Sequence, residues 1–267
     1  MADSKLLSPS RAAYLKNEMR RKRFVTAMRC IILLLLFAVW ELAARLGLID
    51  PFITSSPSRV LATILRLAES GELYLHIGIT LFETVAGFLL GTLLGTLLAA
   101  MLWWSNTLCK ILDPYLVVLN ALPKIALGPI LIVWIGAGIG SIIVMGVLVS
   151  LIVTTVTVLT GFLDTTDEKQ LLMRTLGASK LQIFRLVVLP ASFPTIIAAL
   201  KMSVSMSWVG VIVGEYLVSK AGLGFLIVYG GQVFKLDLVM ASIVVLCLLA
   251  AAMYYGVAYV EKQLVRR

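Results

Sequence analysis

Charged side chains are scarce in this sequence. Asp, Glu, Lys and Arg make up 14% of its 267 residues, there is one histidine, and the mean hydropathy is +1.02. A soluble domain needs more charge to cover its surface, so this composition excludes an ordinary water-exposed protein. Cysteine is scarce too: Cys30, Cys109 and Cys247 have neither metal-site nor disulfide spacing, so we expect packing residues and no metal site.

Polar interruptions are equally few, and several apolar runs approach or exceed the roughly 20 residues that a helix needs to cross the hydrocarbon. These runs are residues 28–46, 77–103, 112–135, 139–163, 193–218 and 237–259. The alternation typical of barrel strands is absent, so the runs predict an all-α, polytopic membrane protein with about six transmembrane helices. The first run follows a basic cluster, as a signal peptide does. It continues to Leu48 without a clean cleavage site, so we expect a retained span.

The distribution of positive charge predicts the orientation. With the amino terminus in the cytoplasm, most of the 23 Lys and Arg residues fall on the cytoplasmic side, which is the side that retains positive charge. We therefore predict cytoplasmic termini, a cytoplasmic polar tail over residues 1–23 and a transmembrane domain over residues 24–267. The net charge of +9 is explained by this topology and by attraction to the lipid bilayer, so we expect no nucleic-acid partner.

Two local patterns predict helix packing outside and inside the membrane. Ser56 and Pro57 form a helix-start signal before apolar residues at helical spacing, which predicts a short amphipathic helix at the outer interface. Gly87, Gly91 and Gly95 recur every four residues and form a strip of small residues on one helix face. This strip favours close packing within the chain, with a contact between two copies as the alternative.

The third apolar run is broken at ALPKIALGP, where Pro123 and Pro129 interrupt the helix and Lys124 brings a charge toward membrane depth. Such a break is tolerated where it faces protein or a water-filled cavity, so this is either a pathway element or a kinked helix whose lysine reaches the interface. The candidate pathway residues are Lys124, Lys201, Trp208 and Glu215. Lys201 and Glu215 could instead belong to structural pairs.

For two features predicted at the outer side of the membrane, we favour a structural role over a functional one. His76, at the start of the second span, is expected to be an interfacial residue and not a ligand. Residues 222–224, in the sequence AGLG, are expected to form an external turn, with a gate as the alternative.

The segment LLMRTLGASKLQIFRLVVLP, residues 171–190, lies between two spans and is basic. Thr165 with Glu168, and Ser179 with Gln182, have capping-box spacing, and Gly177 can end a helix in the left-handed conformation. The sequence therefore predicts helix, turn, helix at the cytoplasmic surface. Its apolar face could rest on lipid or dock into a groove of a cytoplasmic protein, and the spacing alone does not choose between them.

This segment resembles the EAA loop of ABC importer permeases. The residues that fit the pattern are Arg174, Thr175, Leu176, Gly177 and Ala178, followed by Ile183, Phe184, Val188, Leu189 and Pro190. The Glu-Ala-Ala positions depart from it, being Leu171, Leu172 and Met173. The chain is most similar to nitrate, sulfonate and taurine permeases, through residues 56–58, 121–138 and 214–227.

The resemblance implies a methionine-importer-like permease fold in the inner (cytoplasmic) membrane. It implies a dimer of permeases on a dimer of cytoplasmic ABC ATPase subunits, with an external binding protein that delivers a small anion such as a sulfonate, taurine or nitrate. A thiamine-precursor pyrimidine or another heterocycle is the alternative cargo. The implied coupling loop covers residues 164–190, and its contact residues are Glu168, Arg174, Thr175, Leu176, Gly177, Ala178, Leu181 and Phe184.

The sequence has no G-x-x-x-x-G-K-[ST] phosphate loop, so ATP and Mg are expected on the partner ATPase, and this chain is expected to be neither an enzyme nor a cofactor carrier. An ion-coupled secondary transporter is the competing class, with Glu83, Lys124, Lys201 and Glu215 as a relay. No inverted repeat supports it, and it gives the capped loop no role.

Overall fold

The computed structural model describes residues 9–165 and 167–265, and its regular elements in that range are helices. The predicted all-α class is confirmed. The α-helices are α1 Pro9–Arg45, α2 Pro51–Thr54, α3 Pro57–Glu69, α4 Glu72–Trp104, α5 Asn106–Ala121, α6 Gly128–Ile135, α7 Ile139–Leu163, α8 Asp167–Thr175, α9 Lys180–Ile183, α10 Leu189–Ala191, α11 Phe193–Val218, α12 Leu223–Gln232 and α13 Leu236–Val265. A 3-10 turn, Lys124–Leu127, precedes α6, and a π-helical turn, Phe184–Val188, precedes α10.

Five of the described helices are long and apolar enough to cross a membrane: α1, α4, α7, α11 and α13. The remaining apolar run is α5 followed by the 3-10 turn and α6, and these two parts meet at 89°. About six spans is therefore correct if the bent pair counts as one. The bend follows from the sequence, because Pro123 and Pro129 have no N–H to donate within a helix.

The first compact unit comprises residues 1–62. Its helix α1 begins at Pro9, so the helix includes the described part of the predicted polar tail, and residues 1–8 lie outside the described range. Near the end of α1, Glu41 accepts hydrogen bonds from Arg45 Nε at 2.7 Å and from the backbone N–H of Ser58, in α3, at 3.0 Å. Helix α3 begins at Pro57, as the helix-start signal predicts.

The second compact unit, residues 63–267, is built around α4, α7 and α11. The small-residue strip on α4 is buried against α7 of the same chain. A Cβ on Gly95 would lie 2.8 Å from Thr154 Cβ, which is closer than packed atoms approach. Counting from Gly87 along the strip, the facing residues on α7 are Gly146, Ser150 and Thr154.

Helix α12 follows a turn at Gly222, whose φ of +115° lies in the region that favours glycine. Of the predicted turn at residues 222–224, Gly222 lies in the turn, whereas Leu223 and Gly224 begin a ten-residue helix that the sequence patterns did not reveal. Leu223 and Leu226 of α12 pack with Leu73 of α4 and Val245 of α13 in one apolar cluster. Helix α12, which follows the turn, therefore packs against α4 and α13.

Candidate functional site

The predicted helix, turn and second helix between residues 167 and 183 are all present. Gly177 has φ +78°, and the Ala178 N–H donates to the Met173 carbonyl at 2.9 Å, which closes α8. Ser179 and Gln182 form a capping box at the start of α9, with both reciprocal hydrogen bonds. The loop is therefore held by its own local hydrogen bonds.

The other predicted capping pair, Thr165 with Glu168, spans Thr166, which lies outside the described residues. The Thr165 hydroxyl lies 3.5 Å from the Ser192 hydroxyl. The backbone carbonyl of Thr165 accepts a hydrogen bond from the Gln170 side chain at 3.2 Å. Glu168 is exposed on α8. Thr165 thus connects the start of the loop to the start of α11.

The apolar side chains of the loop divide into two groups. Leu176 and Leu181 are exposed, by 72% and 60% respectively. Phe184 instead packs against Trp103 and Phe162, with ring centroids 4.9 and 5.4 Å apart. Phe184 therefore attaches the loop to α4 and α7, whereas the described residues leave Leu176 and Leu181 largely uncovered.

The basic side chains of the loop lie near the end of α4. Lys180 Nζ donates to the Trp104 carbonyl at 2.5 Å and is 5.6 Å from the ring centroids of both Trp103 and Trp104. Arg174 is exposed on α8. Lys180 therefore attaches the loop to the end of α4, in addition to the ring contacts of Phe184.

A buried polar network joins α4, α11 and the turn before α12. The Glu215 carboxylate accepts from the Thr80 hydroxyl at 2.6 Å and from the Gly224 N–H at 2.5 Å. Thr80 Oγ accepts from the Leu223 N–H at 2.8 Å, so one side chain bridges the carboxylate and the helix start. Glu215 is 1% exposed, and a Cβ on Gly222 or Gly224 would overlap it.

Two more residues of α4 complete this network. His76 Nδ1 accepts a hydrogen bond from the Gly222 backbone N–H at 2.9 Å. His76 therefore binds the backbone of the turn before α12. Glu83, one turn below Thr80, is completely buried beside the Glu215 carboxyl group. Neither Glu83 carboxylate oxygen has a hydrogen-bond donor among the described residues.

The four predicted pathway residues do not converge on one cavity. Lys124 lies in the 3-10 turn, and its Nζ donates to the Asn120 carbonyl at 2.9 Å. Lys201 pairs with Glu261 of α13 at 2.5 Å. Trp208 packs with Phe88 and other apolar side chains, and its indole N–H has no acceptor among the described residues.

The partners of these charges were missed by sequence reasoning. Lys201 pairs with a residue 60 positions away, and Glu215 meets Thr80 across 135 positions. A charge inside the membrane is energetically costly, so the sequence indicated that Lys201 and Glu215 need partners. It did not indicate which residues those partners are. Thr80 carried no such signal, and the sequence analysis interpreted His76 as an interfacial residue and Gly224 as part of a turn, not as members of one network with Glu215.

Five long apolar helices, one bent pair of apolar helices and a capped loop define a helical membrane protein. Residues 91–266 match the family model described as the binding-protein-dependent transport system inner membrane component. This match covers more than half of the chain, so the chain belongs to this family of ABC importer permeases.

Individual relatives agree with this assignment. A protein of Haemophilus influenzae named as a probable ABC transporter permease protein is 32% identical over 83% of this chain and 90% of its own length. The taurine transport system permease protein TauC of Escherichia coli is 26% identical over 87% of this chain and 86% of its own.

The fold is also that of a solved permease. An inward-facing structure of the MetNI methionine ABC transporter matches with a TM-score of 0.64 and 19% identity, over 74% of this chain and 97% of that chain. The predicted methionine-importer-like fold is therefore confirmed.

Proposed function

We propose that this permease transmits the work of a separate ATPase dimer through residues 164–190, and that it functions as a pair of identical chains with both termini in the cytoplasm. The observation that carries the coupling role is the exposure of Leu176 and Leu181 on a capped helix, turn and helix. Leu176 lies in the turn after α8 and Leu181 lies in α9. Exposed leucines on a short helical segment suit a groove on a protein partner, which is how amphipathic helices are recognised.

The anchored side of the loop supports a mechanical role. Phe184 packs against rings from α4 and α7, and Ile183 beside it is 3% exposed. A force applied at Leu176 would be carried to the bundle through these contacts, because packed cores transmit displacement. Glu168, Arg174, Thr175 and Ala178 would flank the docking leucines, and Gly177 would set the angle between the two short helices.

The energy source in this proposal is external to the chain. The sequence has no phosphate loop, so ATP and Mg would bind to the partner ATPase, and this chain would bind no cofactor itself. An external binding protein would deliver the cargo, in line with the family's dependence on binding proteins.

A small organic anion of the sulfonate class is the proposed cargo. Relatives named for taurine and for aliphatic sulfonates are similar to this chain over most of its length. Lys124 at the bend supplies a cation whose one hydrogen bond among the described residues is to a backbone carbonyl, so no described carboxylate competes with an anion for it. A formylaminopyrimidine permease is also similar to this chain, which makes a thiamine-precursor heterocycle the second candidate.

Uptake assays distinguish these cargoes. Cells that depend on this permease should take up labelled taurine or a short alkanesulfonate in an ATP-dependent manner. Lys124→Gln should reduce that uptake by roughly tenfold, as expected for the loss of one charge-assisted hydrogen bond. The matched control is Lys110→Gln, an exposed lysine of α5. Saturable uptake of a formylaminopyrimidine with no sulfonate uptake would contradict the anion proposal and support the heterocycle.

A further inference from the structure

A cavity of about 390 Å³ lies beneath the loop, between α8, α9 and the ends of α4, α5 and α7. Its wall combines basic and neutral polar side chains with apolar ones. The polar lining residues are Arg174, Lys180, Asn106 and Gln170. None of the lining residues that the structure describes is acidic, and these described residues give the cavity a positive wall.

The two cations of this wall are not neutralised within the described part of the chain. Arg174 has no ion pair or hydrogen bond among the residues whose side chains are described. Lys180 Nζ gives one hydrogen bond to the Trp104 carbonyl, which leaves further N–H donors and the whole charge. A guanidinium and an ammonium at one cavity are suited to an oxyanion, and a guanidinium suits phosphate in particular.

The surroundings of the cavity indicate where the phosphate comes from. Trp103 and Trp104 end the 33-residue α4, and tryptophan is enriched where a span leaves the hydrocarbon. Leu102, Leu163 and Ile183 form the apolar part of the wall. An apolar wall next to a basic one, at the end of a candidate membrane span, fits an amphipathic ligand better than a free ion.

We propose that this cavity binds the phosphate of an anionic phospholipid, with Arg174 and Lys180 as its ligands. Basic pockets at the ends of membrane helices bind such headgroups because the local field and the low dielectric strengthen the contact. The bound lipid would connect the loop to the start of α5, where Asn106 lies. This inference does not depend on the proposed coupling role, because it concerns binding to the permease itself.

Native mass spectrometry of the intact chain in mild detergent tests the proposal. We would add phosphatidylglycerol or phosphatidylcholine with the same acyl chains and compare the wild type with Arg174→Gln/Lys180→Gln. The control is Lys169→Gln/Arg185→Gln, which removes equal charge from the same loop outside the cavity wall. We expect phosphatidylglycerol to bind preferentially and the cavity variant alone to weaken it by roughly tenfold or more.

Several results would overturn the proposal. If both double variants lost phosphatidylglycerol binding equally, the lipid would be attracted to the basic surface in general. If the wild type bound phosphatidylglycerol and phosphatidylcholine equally, the cavity would not be a site for anionic headgroups. Displacement of the lipid by millimolar glycerol phosphate or inorganic phosphate would identify a soluble phosphate as the ligand. Because this competition uses the wild type, it decides the source of the phosphate even if the cavity variant fails to fold.

Discussion

Gly177→Pro is expected to abolish substrate uptake while the protein still inserts into the membrane. Gly177 has φ +78°, whereas proline is fixed near −65°, so the turn between α8 and α9 cannot form. The hydrogen bond from the Ala178 N–H to the Met173 carbonyl that closes α8 would be lost, and the position of Leu176 relative to Leu181 would change. Uptake per inserted molecule, with insertion quantified by membrane fractionation, gives the result.

Gly177→Asn is the matched comparison for this position. Asparagine adopts the left-handed conformation more readily than other side-chain-bearing residues, and no atom lies within 4 Å of a Cβ built at position 177. Most of the uptake should therefore remain in this variant. Equal uptake by the proline variant and the wild type would show that the shape of the loop is irrelevant to transport.

Glu215→Ala is expected to destabilise the second compact unit by about 2 to 6 kcal/mol and to reduce uptake severely. The Thr80 hydroxyl and the Gly224 N–H would both lose their acceptor in a buried site, and each such loss costs roughly 1 to 3 kcal/mol. The turn at Gly222 would lose its attachment to α11. Thermal unfolding of the purified protein and uptake in cells measure the two effects.

Glu83→Gln provides a contrast in the same network. A glutamine amide can donate to the neighbouring Glu215 carboxylate, and neither Glu83 oxygen has a donor to lose among the described residues. This variant should equal or exceed the wild type in thermal stability. A loss as large as that of Glu215→Ala would contradict the arrangement of the two carboxyl groups.

Local signals in the sequence predicted the loop and the bend. Ser179 with Gln182 specified a helix start, Gly177 specified a left-handed turn, and Pro123 specified a break, because each effect acts over a few residues. The spans followed from hydropathy alone. Helix α12 was missed because its ten residues are too short for a span and follow a glycine turn.

Long-range contacts could not be predicted in this way. The sequence marked Glu215 and Lys201 as costly intramembrane charges, but their partners come from helices far along the chain. Glu215 is held by Thr80 and the Gly224 backbone, and Lys201 is paired with Glu261. The division of the loop into exposed leucines and a packed Phe184 likewise depends on the position of Trp103, which periodicity does not fix.

The most direct test of the account is affinity purification of the tagged permease from its native cells. We predict that an ATPase with a phosphate loop co-purifies with the wild type and hydrolyses ATP. It should be lost from Leu176→Asp/Leu181→Asp, and it should remain with Leu48→Asp, which alters an equally exposed leucine predicted to lie on the outer side. Isolation of the wild-type chain without an ATPase, together with gradient-driven uptake in liposomes, would contradict the proposed coupling.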